Sequence, residues 1–460
     1  MKHNIYNKLY AIVITAALAL PAHHVYAQNT RNLSLDEAIN LSIKNSKQLK
    51  LSKAKVDEAV AAYKDAWNNH FPDVKATGSF IYLNNPVIDL KLKLNSSGTS
   101  TTTATSENSG GSSFPKVNQA AYALVNASLP LFSGFRIKYG VESAHYLEKA
   151  AKLDAENDKE QVIQNTIDAY SNLYKASRSV DLVEQNLKQQ QQRVTDFTNM
   201  ESNGLIPRND LLKAQLQQSN IELSLLDAQN NLKITYVNMD LMLGLPEETE
   251  LTPDSTAFQN MADPGAVTNW EQTALQSRKD VTALSYRQQA ANSSVKAAKG
   301  DFYPGIALTG GYIGLDVQNV FTVTNALNIG VGLQYNFASL WKTGAKVQEA
   351  RARLHEIEAN QEMLSDEVRI QITQAYENYV LSVRKIEVYA KAIDQANENY
   401  RITKNKYTNS LVTTTDLLDA DVAQLQAQLN YAFSKADAIV AYKKLQQTAG
   451  VLSDSSNLPK

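Results

Sequence analysis

The sequence predicts an α+β membrane protein in which a few β-strands are combined with long coiled-coil helices in a tandem repeat. Three observations support this prediction. Pro and Gly are absent from two very long segments, one short segment alternates between apolar residues and small or polar ones, and the same order of elements occurs twice. The 460 residues carry a formal charge of -2, so no basic excess exists that would bind nucleic acid.

The first 27 residues have the pattern of a secretory signal peptide. Lys2 and Lys8 give a basic start, residues 11–20 form an apolar run interrupted only by Thr15, and residues 25–27 end in a small-residue cleavage pattern. A run of ten residues is too short to span a bilayer as a helix, and no later segment reaches the ~18 apolar residues required. We therefore expect export with cleavage before Gln28, and no transmembrane helix.

Several kinds of chemistry are excluded by composition. The chain has no Cys, which removes thiol catalysis, disulfides, Cys-bound metals and a lipid anchor on Cys. Of the six His, three lie in the first 24 residues, and His70, His145 and His355 are far apart in sequence. We therefore expect no enzyme, no metal site and no cofactor.

Two segments without helix breakers predict very long helices. The gaps are Pro130–Pro207, Gly140–Gly204, Pro304–Pro459 and Gly344–Gly450. Residues 136–200 and 340–406 should each form a helix of roughly 100 Å, at about 1.5 Å per residue. The second contains a narrow stripe at steps of three and four, which is typical of a coiled coil. Its positions are Val347, Ala350, Leu354, Ile357, Gln361, Leu364, Val368, Ile372, Ala375 and Tyr379.

Each long helix is followed by a turn and a shorter helix, so two antiparallel helical hairpins are predicted. The turns are expected at 203–207 and 409–413, and the shorter helices at 209–243 and 415–449. Further helices are expected before the strand regions, at about 35–70 and 268–300.

The two halves of the chain match each other. Phe71-Pro72 corresponds to Tyr303-Pro304, and Asp210–Ala214 corresponds to Asp416–Ala420. The offset between these matches shrinks, which indicates an insertion in the first half; the Ser/Thr-rich residues 95–113 fit a flexible loop there. The predicted organisation is a signal peptide at 1–27, a first repeat at 28–244, a linker at 245–267, a second repeat at 268–450 and a tail at 451–460.

The strands should lie between each Pro and its long helix. Residues 326–337 place apolar side chains on one face and small or polar ones on the other. This pattern fits a barrel strand between lipid and water, and it fits a half-buried sheet in a soluble domain. Export, paired candidate strands and aromatic residues at the junctions favour the barrel. The candidate strands lie near 74–92, 117–131, 305–315 and 321–337.

Four strands cannot close a barrel, and open sheet edges are not tolerated in lipid. Other copies of the chain must therefore complete the sheet. Three copies would supply twelve strands, an even number within the range of outer membrane barrels. We therefore predict a trimeric 12-stranded β-barrel, four strands per chain, continuous with a long periplasmic α-helical coiled-coil barrel.

With these features together, the chain resembles the TolC family of outer membrane efflux proteins. The motifs that carry the resemblance are His70–Pro72, Leu131–Gly134, Gly204–Asp210, Leu243–Pro246, Phe302–Pro304 and Leu411–Ala420. The resemblance implies an outer membrane channel with a periplasmic extension. It also implies a homotrimer in outer membrane lipid that docks to a periplasmic adaptor protein and an inner-membrane transporter.

The resemblance also implies functional residues at the hairpin turns. Asp416 and Asp419 match a family ring of carboxylates that selects cations at the pore constriction, where neighbouring like charges would raise some pKa values. The spacing Thr413 to Asp416 alone fits a helix capping box. Asp210 and Tyr407 match a latch that ties adjacent hairpins. The implied adaptor-docking tips are Gly204, Leu205, Ile206, Ser410, Leu411 and Val412.

Two departures from the family pattern concern closure and anchoring. Val412 stands where TolC has an Arg in its closing network, and Arg208 is a candidate substitute. The lipidated Cys that many relatives carry after the leader is missing. The resting state of the channel, open or closed, is therefore not predicted.

Three functions remain open from the sequence. The first is an exit duct for small-molecule or drug efflux, and the second is the outer membrane channel of a type I protein secretion system. The sequence does not separate them, because a passive duct need not recognise its cargo. A non-conducting coiled-coil tether would explain the helices but not the paired strands.

Overall fold

The computed structural model describes residues 30–84, 117–246, 249–258 and 261–455. The predicted signal peptide at 1–27 and the predicted Ser/Thr-rich loop at 95–113 lie outside these residues. The chain divides into two compact units. The hairpin unit comprises the described parts of 1–51, 156–278 and 366–460, and the sheet unit comprises those of 52–155 and 279–365.

The described chain contains long helices and short strands. The helices are α1 (Leu35–Asn45), α2 (Lys47–Asn68), α3 (Arg136–Ser202), α4 (Arg208–Leu243), α5 (Val267–Ser277), α6 (Lys279–Lys299), α7 (Ser339–Thr408), α8 (Thr414–Thr448) and α9 (Leu452–Ser455). The strands are β1 (Thr30–Leu33), β2 (Asp73–Tyr82), β3 (Gln119–Phe132), β4 (Glu250–Pro253), β5 (Gly305–Val317) and β6 (Phe321–Gln334). Short 3-10 turns occur at Ser255–Phe258 and Gly300–Phe302.

The two long helices agree with the prediction to within two residues at each end. Helix α3 has 67 residues and α7 has 70, so each is about 100 Å long. In α7 the predicted stripe is the covered side, with Val368, Ile372 and Tyr379 fully buried. Within the described residues, no helix combines the length and apolarity that crossing a bilayer requires.

The single helices predicted at 35–70 and 268–300 are each broken in two. Helix α1 ends at Ser46, where ψ changes to 122°, and the Ser46 Oγ accepts the Leu49 N–H at the start of α2. Arg278 separates α5 from α6 with extended backbone, and its guanidinium donates to the Thr448 carbonyl oxygen (3.2 Å). Both breaks depend on side-chain and tertiary bonds that periodicity does not reveal.

A small parallel sheet in the hairpin unit was not predicted. Strands β1 and β4 pair from Thr30↔Glu250 to Leu33↔Pro253, so the predicted linker at 245–267 contains a strand. Four residues are too few for a periodic signal. Buried residues around the sheet form the core: Leu33, Ala38, Ala169, Tyr170, Leu173, Met239, Leu243, Leu251, Phe258, Ala436 and Ile439.

The sheet unit contains one antiparallel sheet with the order β2-β3-β5-β6. Two rows of paired residues define its faces. The apolar row is Ala76, Val125, Tyr312 and Leu327, and the polar or small row is Lys75, Asn126, Gly311 and Asn328. On β6 the apolar face is left open by the described residues, since Leu327 and Ile329 are both 82% exposed. This is the arrangement expected for strands that face lipid on one side and water on the other.

Candidate functional site at the hairpin turns

The first hairpin turn is closed by a left-handed glycine. Gly204 has φ +70°, and the next N–H, that of Leu205, donates to the Met200 carbonyl oxygen across the turn (2.8 Å). This is the Schellman pattern that ends a helix. As a result, Leu205 points outward and is 71% exposed, whereas Ile206 is half-buried.

The second turn has the same backbone without a glycine. Ser410 adopts φ +61°, and the Leu411 N–H donates to the Lys406 carbonyl oxygen (2.9 Å). Leu411 is 72% exposed and Val412 is half-buried. The six predicted tip residues therefore form two equivalent turns, each of which presents one leucine.

An apolar cluster lies beneath the turns. Its buried members are Phe197, Leu211, Ala214 and Leu417, one or more from each of α3, α4 and α8; we call it the tip cluster. Helix α7 contributes Tyr407, whose ring stacks on that of Phe197 with centroids 5.6 Å apart. All four hairpin helices therefore meet in one packed layer, which fixes the turns relative to each other within one chain.

Asp416 caps the first turn of α8. Its carboxylate accepts hydrogen bonds from the Thr413 N–H (2.8 Å) and hydroxyl (2.7 Å), while the Asp416 N–H donates to Thr413 Oγ1 (3.2 Å). These bonds from the Thr413 side chain and backbone lower the pKa of Asp416. Within one chain the shift is therefore opposite to the increase expected from clustered carboxylates. The capping box and an exposed carboxylate coexist at this position.

Asp419 lies three residues further on, on the same side of α8 as Asp416. It is exposed and makes no hydrogen bond or ion pair among residues 30–84, 117–246, 249–258 and 261–455. Of the two predicted ring residues, Asp419 thus has the carboxylate that is not engaged in helix capping.

The structure does not bring Asp210 and Tyr407 into a hydrogen bond within one chain. The Asp210 carboxylate lies 3.7 Å from Lys213 Nζ, and the Tyr407 hydroxyl lies 3.3 Å from Thr414 Oγ1. Next to Asp210, the side chain of Lys213 contacts the second hairpin, with its Nζ 3.2 Å from Thr415 Oγ1. Both predicted latch residues therefore have other partners in the single chain.

Arg208, the candidate substitute for the missing closing Arg, is exposed. It forms no ion pair in the part of the chain that the structure describes. The structure therefore gives it no role in joining the hairpins of one chain.

A buried ionic layer further along the hairpins was missed by the sequence reasoning. Arg193 on α3 and Asp421 on α8 form an ion pair (3.3 Å) in which the side chains are only 9% and 1% exposed. Asp421 also accepts from Asn186 (3.3 Å) and Gln190, both on α3. Arg193 further donates to the Tyr400 hydroxyl (2.9 Å) on α7 and to Gln190 Oε1 (3.1 Å). We call these five residues the ionic layer.

A signal for the ionic layer exists in the sequence. On α3, residues 183, 186, 190, 193 and 197 repeat at the coiled-coil spacing and are all buried. Asp421 occupies the corresponding buried side of α8, together with Leu417 and Leu425. A charged residue at the buried position of an otherwise apolar stripe indicates a paired partner on the facing helix.

Comparison with protein families gives a match over most of the chain. A model of the family described as "Outer membrane efflux protein" matches residues 38–245 and 270–451. The two matched ranges leave out residues 246–269.

Individual proteins are similar to this chain over most of its length, at low sequence identity. The outer membrane efflux protein BepC of Brucella suis biovar 1 is 25% identical over 341 residues, which cover 71% of this chain and 72% of BepC. The alkaline protease secretion protein AprF of Pseudomonas aeruginosa is 22% identical over 306 residues, 65% of this chain and 63% of AprF. The crystal structure of the CmeC outer membrane channel of Campylobacter jejuni superposes with a TM-score of 0.75 at 16% identity, covering 91% of this chain and 86% of CmeC.

Proposed function

The chain belongs to the outer membrane efflux protein family, and on that premise we propose that it is the exit duct of a tripartite export system. It conducts substrates passively from a periplasmic adaptor and an inner-membrane transporter across the outer membrane. The observation that carries the proposal is the four-stranded sheet, whose apolar face carries large exposed side chains such as Val74, Leu131 and Leu327. A soluble protein would be expected to cover such a face.

The sheet crosses the membrane as part of a trimer in this proposal. Strands β2 and β6 are its edges, and each has one unpaired side among the described residues. Because unpaired backbone groups are costly in lipid, the edges require partners. Three copies would join β6 of one chain to β2 of the next in a 12-stranded barrel. The two ranges matched by the family model support the further proposal that the halves are a tandem repeat.

The hairpin turns form the periplasmic end and the gate in this proposal. Asp416 and Asp419 from three copies would surround the pore as a ring of carboxylates and favour cations. Asp210 and Tyr407 would act as a latch between hairpins of different chains, since they are not bonded within one chain. The exposed leucines Leu205 and Leu411 would contact the adaptor.

We propose small molecules as the transported substrate, with a secreted protein as the alternative. The name of BepC refers to efflux, whereas the name of AprF refers to secretion of an alkaline protease. A deletion strain separates the two. Increased drug susceptibility with unchanged secreted protein supports efflux, and the reverse supports type I secretion.

The leader and the absence of a lipid anchor also belong to the proposal. The mature protein should begin at Gln28 and contain no lipid, because it contains no Cys to carry one. N-terminal sequencing and intact mass of protein purified from the outer membrane test both points.

Single-channel recording tests the function itself. We expect the purified protein to be a trimer in mild detergent and to insert into a planar lipid bilayer as a conducting channel. Conductance should be higher for cations than for anions. A folded protein that remains monomeric, or that never conducts, would overturn the proposal in favour of a non-conducting envelope protein.

A further inference from the structure

The ionic layer lies between two apolar layers of the hairpin seam. The tip cluster, with Phe197 and Leu417, lies on one side of it. On the other side lies a second apolar cluster formed by Val183, Ile221 and Leu425. Along the buried side of α3 the order is therefore apolar at 183, polar at 186, 190 and 193, and apolar at 197. The polar residues interrupt a seam that is otherwise suited to permanent packing.

Stability alone does not account for this layer. A buried ion pair gains little over well-packed apolar residues, because both charges lose their hydration. In addition, the buried Asn186 Oδ1 has no hydrogen-bond partner among the described residues. An unpaired buried acceptor weakens the folded state. We therefore look for a property other than stability that the ionic layer has and an apolar layer would lack.

That property is the ability to separate into water. Apolar side chains resist exposure in proportion to their area, whereas charged and amide groups regain hydration when a seam opens. An ionic layer also fixes which residues face each other, because any shift of α3 along α8 would leave Arg193 and Asp421 buried and unpaired. The layer thus permits one closed arrangement and a hydrated open one.

We propose that Arg193 and Asp421 are the lock that holds α3 of the first hairpin to α8 of the second when the tip is closed. This inference rests on the proposed function, because it assigns the ionic layer to the gate. The lock depends most on Asp421, whose carboxylate receives donors from three α3 side chains. Arg193 retains Tyr400 and Gln190 without it, so the loss of Asp421 frees α8 specifically.

The test uses single-channel recording of purified trimers in a planar bilayer. Asp421→Asn should raise the fraction of time spent open by about tenfold or more, because it leaves Arg193 buried without a counter-charge. The double variant Arg193→Met/Asp421→Leu replaces the ionic layer by an apolar one. This variant should be open less often than the wild type, because opening would expose apolar side chains to water.

A matched control is available on the same two helices. Lys175 on α3 and Asp437 on α8 form an ion pair (2.8 Å) that is much more exposed and lies outside the ionic layer. Lys175→Gln and Asp437→Asn remove equivalent charges between the same helices. Both should gate as the wild type does, since exposed pairs contribute little.

The results separate the lock from a merely structural role. Unchanged gating in folded Asp421→Asn trimers, or equal opening in Asp437→Asn, would overturn the lock. So would an Arg193→Met/Asp421→Leu variant that opens as readily as Asp421→Asn. If Asp421→Asn does not fold, Arg193→Lys takes its place, with a smaller increase in opening expected and wild-type gating as the contrary result. A wild type that never conducts defeats the proposed function and the lock with it, whereas a conducting wild type with unaltered variants defeats the lock alone.

Discussion

Gly134 and Gly300 lie back to back where two strands of the sheet unit meet their helices. A Cβ atom placed on Gly300 would be 2.5 Å from the carbonyl oxygen of Gly134, which itself has φ +63°. Beside them, Asp301 pairs with Arg136 (2.9 Å) and with Lys346 (2.9 Å). Burial opposes its ionisation, but the hydrogen bonds from these two cations lower the pKa of Asp301. The junction between β3 and α3 is therefore fixed by close backbone approach and by charge.

Replacing Gly300 by Ala should destabilise this junction by about 1–3 kcal/mol or more, because the methyl group collides with backbone that cannot move aside. Gly140→Ala is the matched control, since nothing lies within 4 Å of a Cβ at that helical position. It should instead stabilise α3 by up to about 1 kcal/mol. Thermal denaturation of the purified trimers measures both. Equal melting temperatures for Gly300→Ala and the wild type would show that the close approach does not constrain the fold.

The sequence predicts the features that depend on local spacing. The great length of α3 and α7 follows from the missing Pro and Gly, and the face of β6 follows from the alternation of apolar with small or polar residues. The breaks at Ser46 and Arg278 do not, because they are made by individual side-chain and tertiary bonds. Asp419 and Asp421 show the same limit at the candidate site. The two acids are two residues apart, yet Asp419 is exposed and Asp421 is buried against Arg193. The resemblance to a family does not reveal this difference in burial.

Tyr170 connects the core of the hairpin unit to the strands β1 and β4. Its hydroxyl lies 2.8 Å from the Leu33 carbonyl oxygen and accepts the Asp254 N–H (2.8 Å). Tyr170→Phe removes the hydroxyl and leaves the Leu33 carbonyl and the Asp254 N–H without these hydrogen bonds, which should cost about 1–3 kcal/mol of unfolding free energy. Tyr303→Phe, at an exposed position, is the control and should be neutral. Chemical denaturation would contradict this expectation if the two variants were equally stable.

The same tyrosine should make stability depend on alkaline pH. Burial raises the pKa of Tyr170 to about 12. Because the folded pKa lies above the unfolded value of about 10, the contribution is complete below pH ~10 and is lost as the pH rises towards 12. Unfolding curves between pH 9 and 12 should therefore converge for the wild type and Tyr170→Phe. A constant difference across this range would exclude Tyr170 as the titrating group.

The two tip leucines should be required for export and not for conduction. Leu205→Asp/Leu411→Asp places a charge on each turn without touching the packed tip cluster. Loss of two apolar anchors should weaken adaptor binding by about tenfold or more. Cells should then lose export, while the purified trimer should conduct normally in a bilayer. Leu205→Met/Leu411→Met is the control and should export as the wild type does. Normal export by the Asp variants would place the docking surface elsewhere.

Substitutions of Asp416 and Asp419 should differ in their effect on thermal stability, although both residues are predicted to line the pore constriction. Removal of either carboxylate should reduce cation preference, and the double Ala variant should lose most of it. The effect should be largest at low salt, where screening is least. Only Asp416→Ala also removes a capping box, so only this variant should lower thermal stability. Asp419→Ala should leave stability unchanged because its carboxylate has no partner in the described chain.

A pH titration distinguishes ring charge from helix capping at Asp416. Since hydrogen bonds from Thr413 lower its pKa, Asp416 stays charged as the pH falls through the usual Asp value of about 3.9. Its capping contribution is complete above that value and is lost only as the pH falls through the lower folded pKa. Asp419→Ala channels should therefore keep their remaining cation preference below pH 4. Loss of that preference at higher pH would mean that neighbouring carboxylates in the trimer outweigh the Thr413 bonds. Full wild-type selectivity in the double Ala variant would leave both acids as residues of a helix start alone.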